Sequence, residues 1–297
     1  MTKNVPQTPA SQAELKELAA RALAVRKGCL ESIASLGVGH IGGSMSVVEA
    51  LVALYFRHMR LDPADAKAAD RDLFVLSKGH AGPALYATLA EKGYLDRALL
   101  PTLNKGGTRL PSHADRRLTP GVDMSTGSLG QGFSAAAGMA LGLKMDGSRP
   151  DGTMRRCWAI IGDGESDEGQ VWEAAAFAAH YKLDNFIAFT DFNKYQIDGS
   201  TDEVMRLHDL VAKWEAFGWA ALRVDGHDLA ALDATILKAR GLQGKPVMIV
   251  LDTVKAKGIP AFEGKAESHN APFGAAELAA TLAALDAAAE KEAQHGR

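Results

Sequence analysis

The sequence carries Gly162-Asp163-Gly164 directly after the apolar run CWAII (157–161), and Asn193 soon after the run NFIAFT (185–190). A carboxylate and an amide oxygen are hard donors, and Mg²⁺ typically takes one or two such side chains together with phosphate oxygens. Asp163 and Asn193 lie 30 residues apart, the length of one β-α-β unit. Two strand tips can therefore converge as neighbours about 4.8 Å apart. Open α/β sheets bind ligands at that carboxyl edge. The same residues also suit a tight turn, in which Asp163 caps the helix near 167 and Asn193 ends a strand.

Gly127-Ser128-Leu129-Gly130-Gln131-Gly132 opens an apolar helix, and glycines at a helix start let a ligand approach backbone N–H groups. His40, His80, His113 and His269 stand in loops marked by glycine, serine or proline. Such placement suits a polar pocket in which imidazoles hydrogen-bond or carry protons near neutral pH, although each ring can also merely brace a loop. His58, His180, His208, His227 and His295 sit on or beside helices and read as structural. The acidic run Gly164 to Glu168 reads as a helix start favoured by the dipole, and Arg155-Arg156 as a solvated turn rather than an anion site.

Those residues need a scaffold. Ser11 and Glu14 form a capping box for a long helix to about Leu36, ended by the glycine cluster 37–43, and a helix follows from about Ser46. Asp72-LFVLS is a strand, and 104–126 a long loop of the functional kind. Residues 129–145 form a helix so poor in polar residues that burial on nearly all sides, centrally or in a subunit interface, is expected. Strands at 157–161, 185–190, 219–224 and 246–251 alternate with helices at 167–181, 207–217 and 228–240. A loop at 255–273 and a helix after Ala275 close the chain. This alternation predicts an α/β fold with a doubly wound parallel sheet. Residues 1–10 read as a flexible tail and 11–297 as one domain.

With 297 residues, 47% hydrophobic and 23% charged, the chain is an ordinary globular one, and its net charge of −3 without a basic block excludes nucleic acid or an anionic membrane as an expected partner. Two distant cysteines, no signal peptide and no long apolar run predict a cytoplasmic protein with reduced thiols. The literal G-x-G-x-x-G at Gly37, Gly39 and Gly42 follows a helix rather than a strand, so it is no dinucleotide fingerprint. Gly244-Lys245 and Gly264-Lys265 lack the following Ser or Thr of a P-loop.

The clamp resembles the diphosphate signature of thiamine diphosphate enzymes. The segments GHIGGSMSVVEAL, LSKGHAG, LPSH, STGSLGQG, IGDGESDEGQVWEA, DFNKYQIDG and ESHNAP, in order across about 15–275, resemble the cofactor half of transketolase. That resemblance implies a domain binding the diphosphate side of thiamine diphosphate through Mg²⁺, with Ca²⁺ or Mn²⁺ able to substitute. Asp163, Asn193 and the carbonyl of Tyr195 would be the metal ligands. Gly164, His80 and His269 would hold the diphosphate, Gly127, Ser128 and Leu129 would line the cofactor rings, and Lys255 matches a lysine preceding the last histidine. His40, His113 and His269 would be catalytic around the donor sugar, with His40 and His269 suited to proton transfer. Glu168 would lie at a dimer interface. Ser128 stands where the family often has proline, which touches only backbone stiffness.

The sequence stops where a full-length transketolase continues, so the resemblance implies a split enzyme. A separate C-terminal, pyrimidine-binding subunit would supply the catalytic glutamate and the arginines for sugar phosphates. The pair, expected as an α2β2 heterotetramer, would transfer a two-carbon ketol unit from a ketose phosphate to an aldose phosphate, as in the pentose phosphate pathway, and this chain would be inactive alone. The alternatives are a 2-oxoacid dehydrogenase of which this is the α-type chain, a pyruvate-using synthase, or a non-catalytic cofactor-binding module. Four loop histidines suit a polyhydroxylated donor better than a 2-oxoacid.

Overall fold

The computed structural model describes residues 5–294. Its strands are β1 (Val38–Gly39), β2 (Leu73–Leu76), β3 (Cys157–Gly162), β4 (Phe186–Phe192), β5 (Ala220–Asp225), β6 (Val247–Asp252) and β7 (Ala271–Pro272). β2 to β6 form a parallel sheet in the order β2-β3-β4-β6-β5, while β1 and β7 pair antiparallel as a separate two-stranded clasp. The helices are α1 (Gln12–Leu36), α2 (Ile41–Met45), α3 (Val48–Ala53), α4 (Gly82–Lys92), α5 (Gln131–Met145), α6 (Gly169–His180), α7 (Thr201–Val204), α8 (Leu210–Ala216), α9 (Leu229–Gly241) and α10 (Ala275–Gln294).

The sheet is covered on both faces, which is why β3 is apolar at nearly every position and not alternating. Side chains of successive residues point to opposite faces. Trp158 and Ile160 pack into the layer built by α1, α3, α4 and α9, whereas Cys157, Ala159 and Ile161 pack into the layer of α5, α6 and α8. The expected doubly wound sheet is therefore present. Both cysteines are buried free thiols, and burial pushes Cys29 up to about 12. Among the described residues no helix is long and apolar enough to cross a membrane.

Local expectations hold with three changes. The capping box of Ser11 and Glu14 starts α1, and Gly37 ends it at φ +84°. The single helix expected from about Ser46 is α3 followed by a π turn at Leu54–His58, and a short α2 stands before it within the glycine cluster. α7 was not legible, and the helix expected from 207 begins at Leu210. In the third change, α5 begins at Gln131 and this chain alone buries one side of it, so the central setting is not realised: Gly138, Gly142 and Met145 are exposed, beside exposed Phe177 on α6 and Tyr181 just after it. Composition signalled an unusually apolar helix, and the fold leaves half of its surface uncovered by this chain.

Residues 1–4 of the expected tail and His295 lie outside the described residues. The carbonyls of Pro6 and Thr8 accept from Arg240 and Arg57, and Ala10 N–H donates to Asp233 at 2.8 Å.

Candidate functional site

The carboxyl ends of β2, β3, β4 and β6 open into a cavity of about 360 Å³. Of the residues singled out from the sequence, His40, His80, His113, Gly127, Leu129, Asp163, Gly164, Asn193, Tyr195, Lys255 and His269 line it. Ser128 stands exposed outside that lining, and Glu168 is exposed at the start of α6, its Cβ facing Gly130.

Register explains the clamp. Gly162 pairs with Asp191, so Asp163 and Asn193 leave adjacent strand tips together. Both are buried. Asp163 accepts from Gly164 N at 2.8 Å and Lys194 N at 2.6 Å, which leaves each carboxylate oxygen a further lone pair. Asn193 donates its amide to Asp191 at 2.8 Å, an arrangement that fixes which end is nitrogen; Oδ1 accepts from Tyr195 N at 3.2 Å and keeps one further lone pair. The tight-turn reading is also met in part: Asp163 caps the short 3-10 turn Gly164–Asp167, whereas α6 itself starts after Glu168.

The donor set fits a hard cation: one carboxylate, one amide oxygen and the Tyr195 carbonyl. Burial and then the Asp191 charge push Asp163 up to about 7, and the backbone donors and Lys78 oppose them only in part. Lys255 approaches it, its Nζ donating to the carbonyls of Gln196 at 3.1 Å and Tyr195 at 3.4 Å. Burial, opposed by Asp163, lowers Lys255 to about 8. A diphosphate with its metal would supply the missing partners.

Four imidazoles form the opposite wall. Ring centroids of His40 lie 5.6 Å from His80, 5.6 Å from His113 and 5.4 Å from His269, and those of His80 and His269 are 5.0 Å apart. The β1–β7 clasp explains how His40 and His269, far apart in sequence, meet. Burial lowers all four, helped by the neighbouring rings or lysines at His40, His80 and His269; His40 falls to about 4 and His269 to about 3. At neutral pH they are uncharged rings with one donor and one acceptor each, suited to hydroxyl groups. A histidine lowered on folding binds fewer protons folded than unfolded, so its effect on stability is absent above about 6.5 and destabilises as pH falls below that value. Urea unfolding should therefore show stability lost between pH 7 and pH 5, with a shallower loss in the His40→Gln/His269→Gln double variant. Equal slopes would mean that the rings titrate normally.

Sequence reasoning missed several residues. Lys78 and Asp191 are fully buried and paired, and Asp191 also accepts from Ser46, Thr253 and Asn193. Glu165, read as a local helix cap, instead reaches across the chain: it accepts from Ser77 and from Gly130 N at 2.9 Å and Gly162 N at 3.1 Å. It thereby fastens the start of α5 to the tips of β2 and β3. Arg156, read as a solvated turn, is half-buried.

His227, read as structural, is better placed than that. Its Nε2 accepts from Val254 N at 2.9 Å, and its Nδ1 lies 3.0 Å from Glu49, which is paired with Arg26. Accepting at Nε2 requires the proton on Nδ1, directed at Glu49. This relay fixes the backbone immediately before Lys255, and Ala256, immediately after it, holds φ +57°. A non-glycine residue in that region is strained and needs such support. In His227→Phe, amide exchange at Val254 should accelerate at least tenfold and anion affinity at Lys255 should weaken severalfold; unchanged exchange would reduce His227 to packing.

The fold and the clamp define a class, the domain that holds the diphosphate end of thiamine diphosphate. Residues 18–293 match the family model described as "Transketolase, thiamine diphosphate binding domain". The chain belongs to the transketolase family. It is 56% identical over 254 residues to the 6-deoxy-6-sulfo-D-fructose transketolase subunit SqwG of Clostridium sp. (strain MSTE9), covering 86% of this chain and 90% of that one. It is 40% identical over 245 residues to one of the subunits of the apulose-4-phosphate transketolase of Phocaeicola vulgatus, covering 82% and 85%. A solved transketolase of Pichia stipitis in complex with sedoheptulose 7-phosphate superposes with a TM-score of 0.83 at 31% identity, covering 94% of this chain and 44% of that one. The chain therefore spans less than half of that solved enzyme.

Proposed function

We propose that this chain is the N-terminal, diphosphate-side subunit of a two-chain transketolase that moves a two-carbon ketol unit from a ketose to an aldose. The observation that carries the reading is the meeting of an oxygen-donor clamp and four neutral imidazoles in one cavity at the sheet's carboxyl edge. The names of two relatives as transketolase subunits, each covered over most of its length, support the two-chain arrangement.

Asp163, Asn193 and the Tyr195 carbonyl would hold Mg²⁺, with Lys255, Gly164, His80 and His269 on the diphosphate. Gly127 and Leu129, with Ser128 at the rim, would lie along the cofactor rings. When bound, thiamine diphosphate supplies the carbanion chemistry that breaks and forms the carbon–carbon bond. His40, His113 and His269 hydrogen-bond the hydroxyls and carbonyl of the donor, and His40 and His269 exchange protons with its oxygens. The partner subunit contributes the glutamate that activates the cofactor, and Glu168 lies in the assembly's interface. The uncovered face of α5 and α6 is consistent with further assembly, as α2β2, in the cytoplasm.

The sulfofructose name of the 56% identical relative makes 6-deoxy-6-sulfo-D-fructose the first donor to test, followed by ketose phosphates. Capture of the C-terminal subunit from native lysate with thiamine diphosphate and Mg²⁺ present should give a mixture that transfers ketol units, while this chain alone gives no turnover. Turnover by the isolated chain would overturn the divided site. Turnover of pyruvate but of no ketose would move the protein to the 2-oxoacid enzymes.

A further inference from the structure

A second cavity, of about 700 Å³, opens at the opposite edge of the sheet, where the strands begin. Asp72 and Arg156 stand immediately before β2 and β3, Arg149 comes from the segment between α5 and β3, and Arg240 lies near the end of α9. A six-residue strand at about 3.3 Å per residue puts roughly 20 Å between this cavity and the histidines.

The carboxylates of the wall are already committed. Asp72 pairs with Arg149 and accepts from Arg60 N at 3.0 Å and Arg156 N at 2.8 Å, while Asp151 pairs with Arg60 at 2.5 Å. Arg156 and Arg240 have no carboxylate within ion-pair distance among the described residues. Their contacts are to carbonyls, Arg156 Nη2 to Arg240 at 3.0 Å and Arg240 Nη1 to Pro6 at 2.6 Å, and the buried Nε of each has no acceptor. Burial lowers both, and each guanidinium lowers the other or is lowered by a neighbouring arginine, bringing Arg240 to about 10. Both stay charged at neutral pH. His58, on the same wall, is lowered by burial and adds no positive charge at neutral pH.

Asp72 acts on both groups, Asp184 on Arg156 and Asp233 on Arg240, but only from beyond ion-pair distance; two partly desolvated guanidinium groups beside a cavity, neither with a paired carboxylate, are costly unless an anion completes them. Their planar donor forks match a tetrahedral oxyanion. We infer that this cavity binds a phosphate group, free or carried by a small metabolite, between Arg156 and Arg240 with Arg149 beside them. The site is separate from the proposed catalytic cavity and does not depend on that reading. A ligand there bridges the starts of β2 and β3, whose other ends carry Lys78 and Asp163.

Thermal unfolding of the full chain should be followed at constant ionic strength while inorganic phosphate, and separately glycerol 3-phosphate, is titrated. The expected result is a saturable rise in Tm that persists in Lys255→Met, which removes an ammonium of the other cavity, with apparent Kd at least tenfold weaker in Arg156→Gln and Arg240→Gln. A tighter response to the ester assigns the site to a metabolite, and an equal or weaker one to free phosphate. A rise no larger than chloride produces, or one lost in Lys255→Met and kept in both arginine variants, overturns the inference. If the arginine variants do not fold, tungstate diffused into wild-type crystals decides: density between the two guanidinium groups supports the site, and density only elsewhere overturns it.

Discussion

Asp163→Ala should abolish Mg²⁺-dependent binding of thiamine diphosphate while leaving a folded sheet. Asp163 is the sole charged member of the proposed oxygen-donor set, and the neighbouring Asn193 and Tyr195 offer only neutral oxygens. Removing one partner of a buried charge pair typically costs about 3–5 kcal/mol, so the affinity should fall by roughly 10²- to 4 × 10³-fold. Calorimetric titration with and without Mg²⁺ measures this, and circular dichroism checks the fold. The residue's turn-shaping bonds to Gly164 and Lys194 predict some loss of stability as well. Binding that survives unchanged in a folded variant would leave Asp163 with its turn-forming role alone.

The second large effect is on stability. In Lys78→Met, Asp191 would remain buried without its cation. Burial alone raises a carboxyl group, but Lys78 and then the donors Thr253 and Ser46 outweigh it and hold Asp191 below the usual carboxylate range. A carboxylate lowered on folding contributes stability above its unfolded value near 3.9, and loses that contribution as pH falls through the folded value. Without Lys78 the sign reverses, because burial then dominates. Urea denaturation should show Lys78→Met less stable by about 3–5 kcal/mol at pH 7, with the deficit shrinking toward acid pH. Lys78→Met/Asp191→Asn should recover much of the loss, since the amide leaves no uncompensated charge. A deficit independent of pH, or no recovery, would assign the effect to packing.

Much of this site was legible because its residues follow apolar runs. CWAII and NFIAFT read directly as buried strands, and once they are parallel neighbours the meeting of Asp163 and Asn193 follows from register. The histidines were legible as loop residues, but their mutual distances were not, since these depend on how β1 and β7 pair. Lys78 was hidden for a different reason: a fully buried lysine is rare, and only the tertiary position of Asp191 makes it tolerable. Glu165 and His227 misled because each has an ordinary local explanation, a helix start or a turn, while their actual partners lie on other segments. The strained backbone at Lys194, φ +72°, and Ala256 carries no compositional mark at all, because neither residue is glycine.

The small clasp of β1 and β7 also bears on the order in which the protein is made. Val38 pairs with Pro272, and Phe273 N–H reaches the carbonyl of Gly37. The strands of the main sheet are all synthesised before that pairing can form, and chains fold progressively as they leave the ribosome. His269 follows His40 by 229 positions, so His40 waits for all the strands of the main sheet to be made first. A nascent chain can assemble its sheet and bring Asp163 beside Asn193 early, yet it cannot close the wall of imidazoles. A chain ending just short of this clasp would keep Asp163 beside Asn193 but would leave His40 without its held partner His269. The pocket, in this fold, is finished only after the sheet on which it stands.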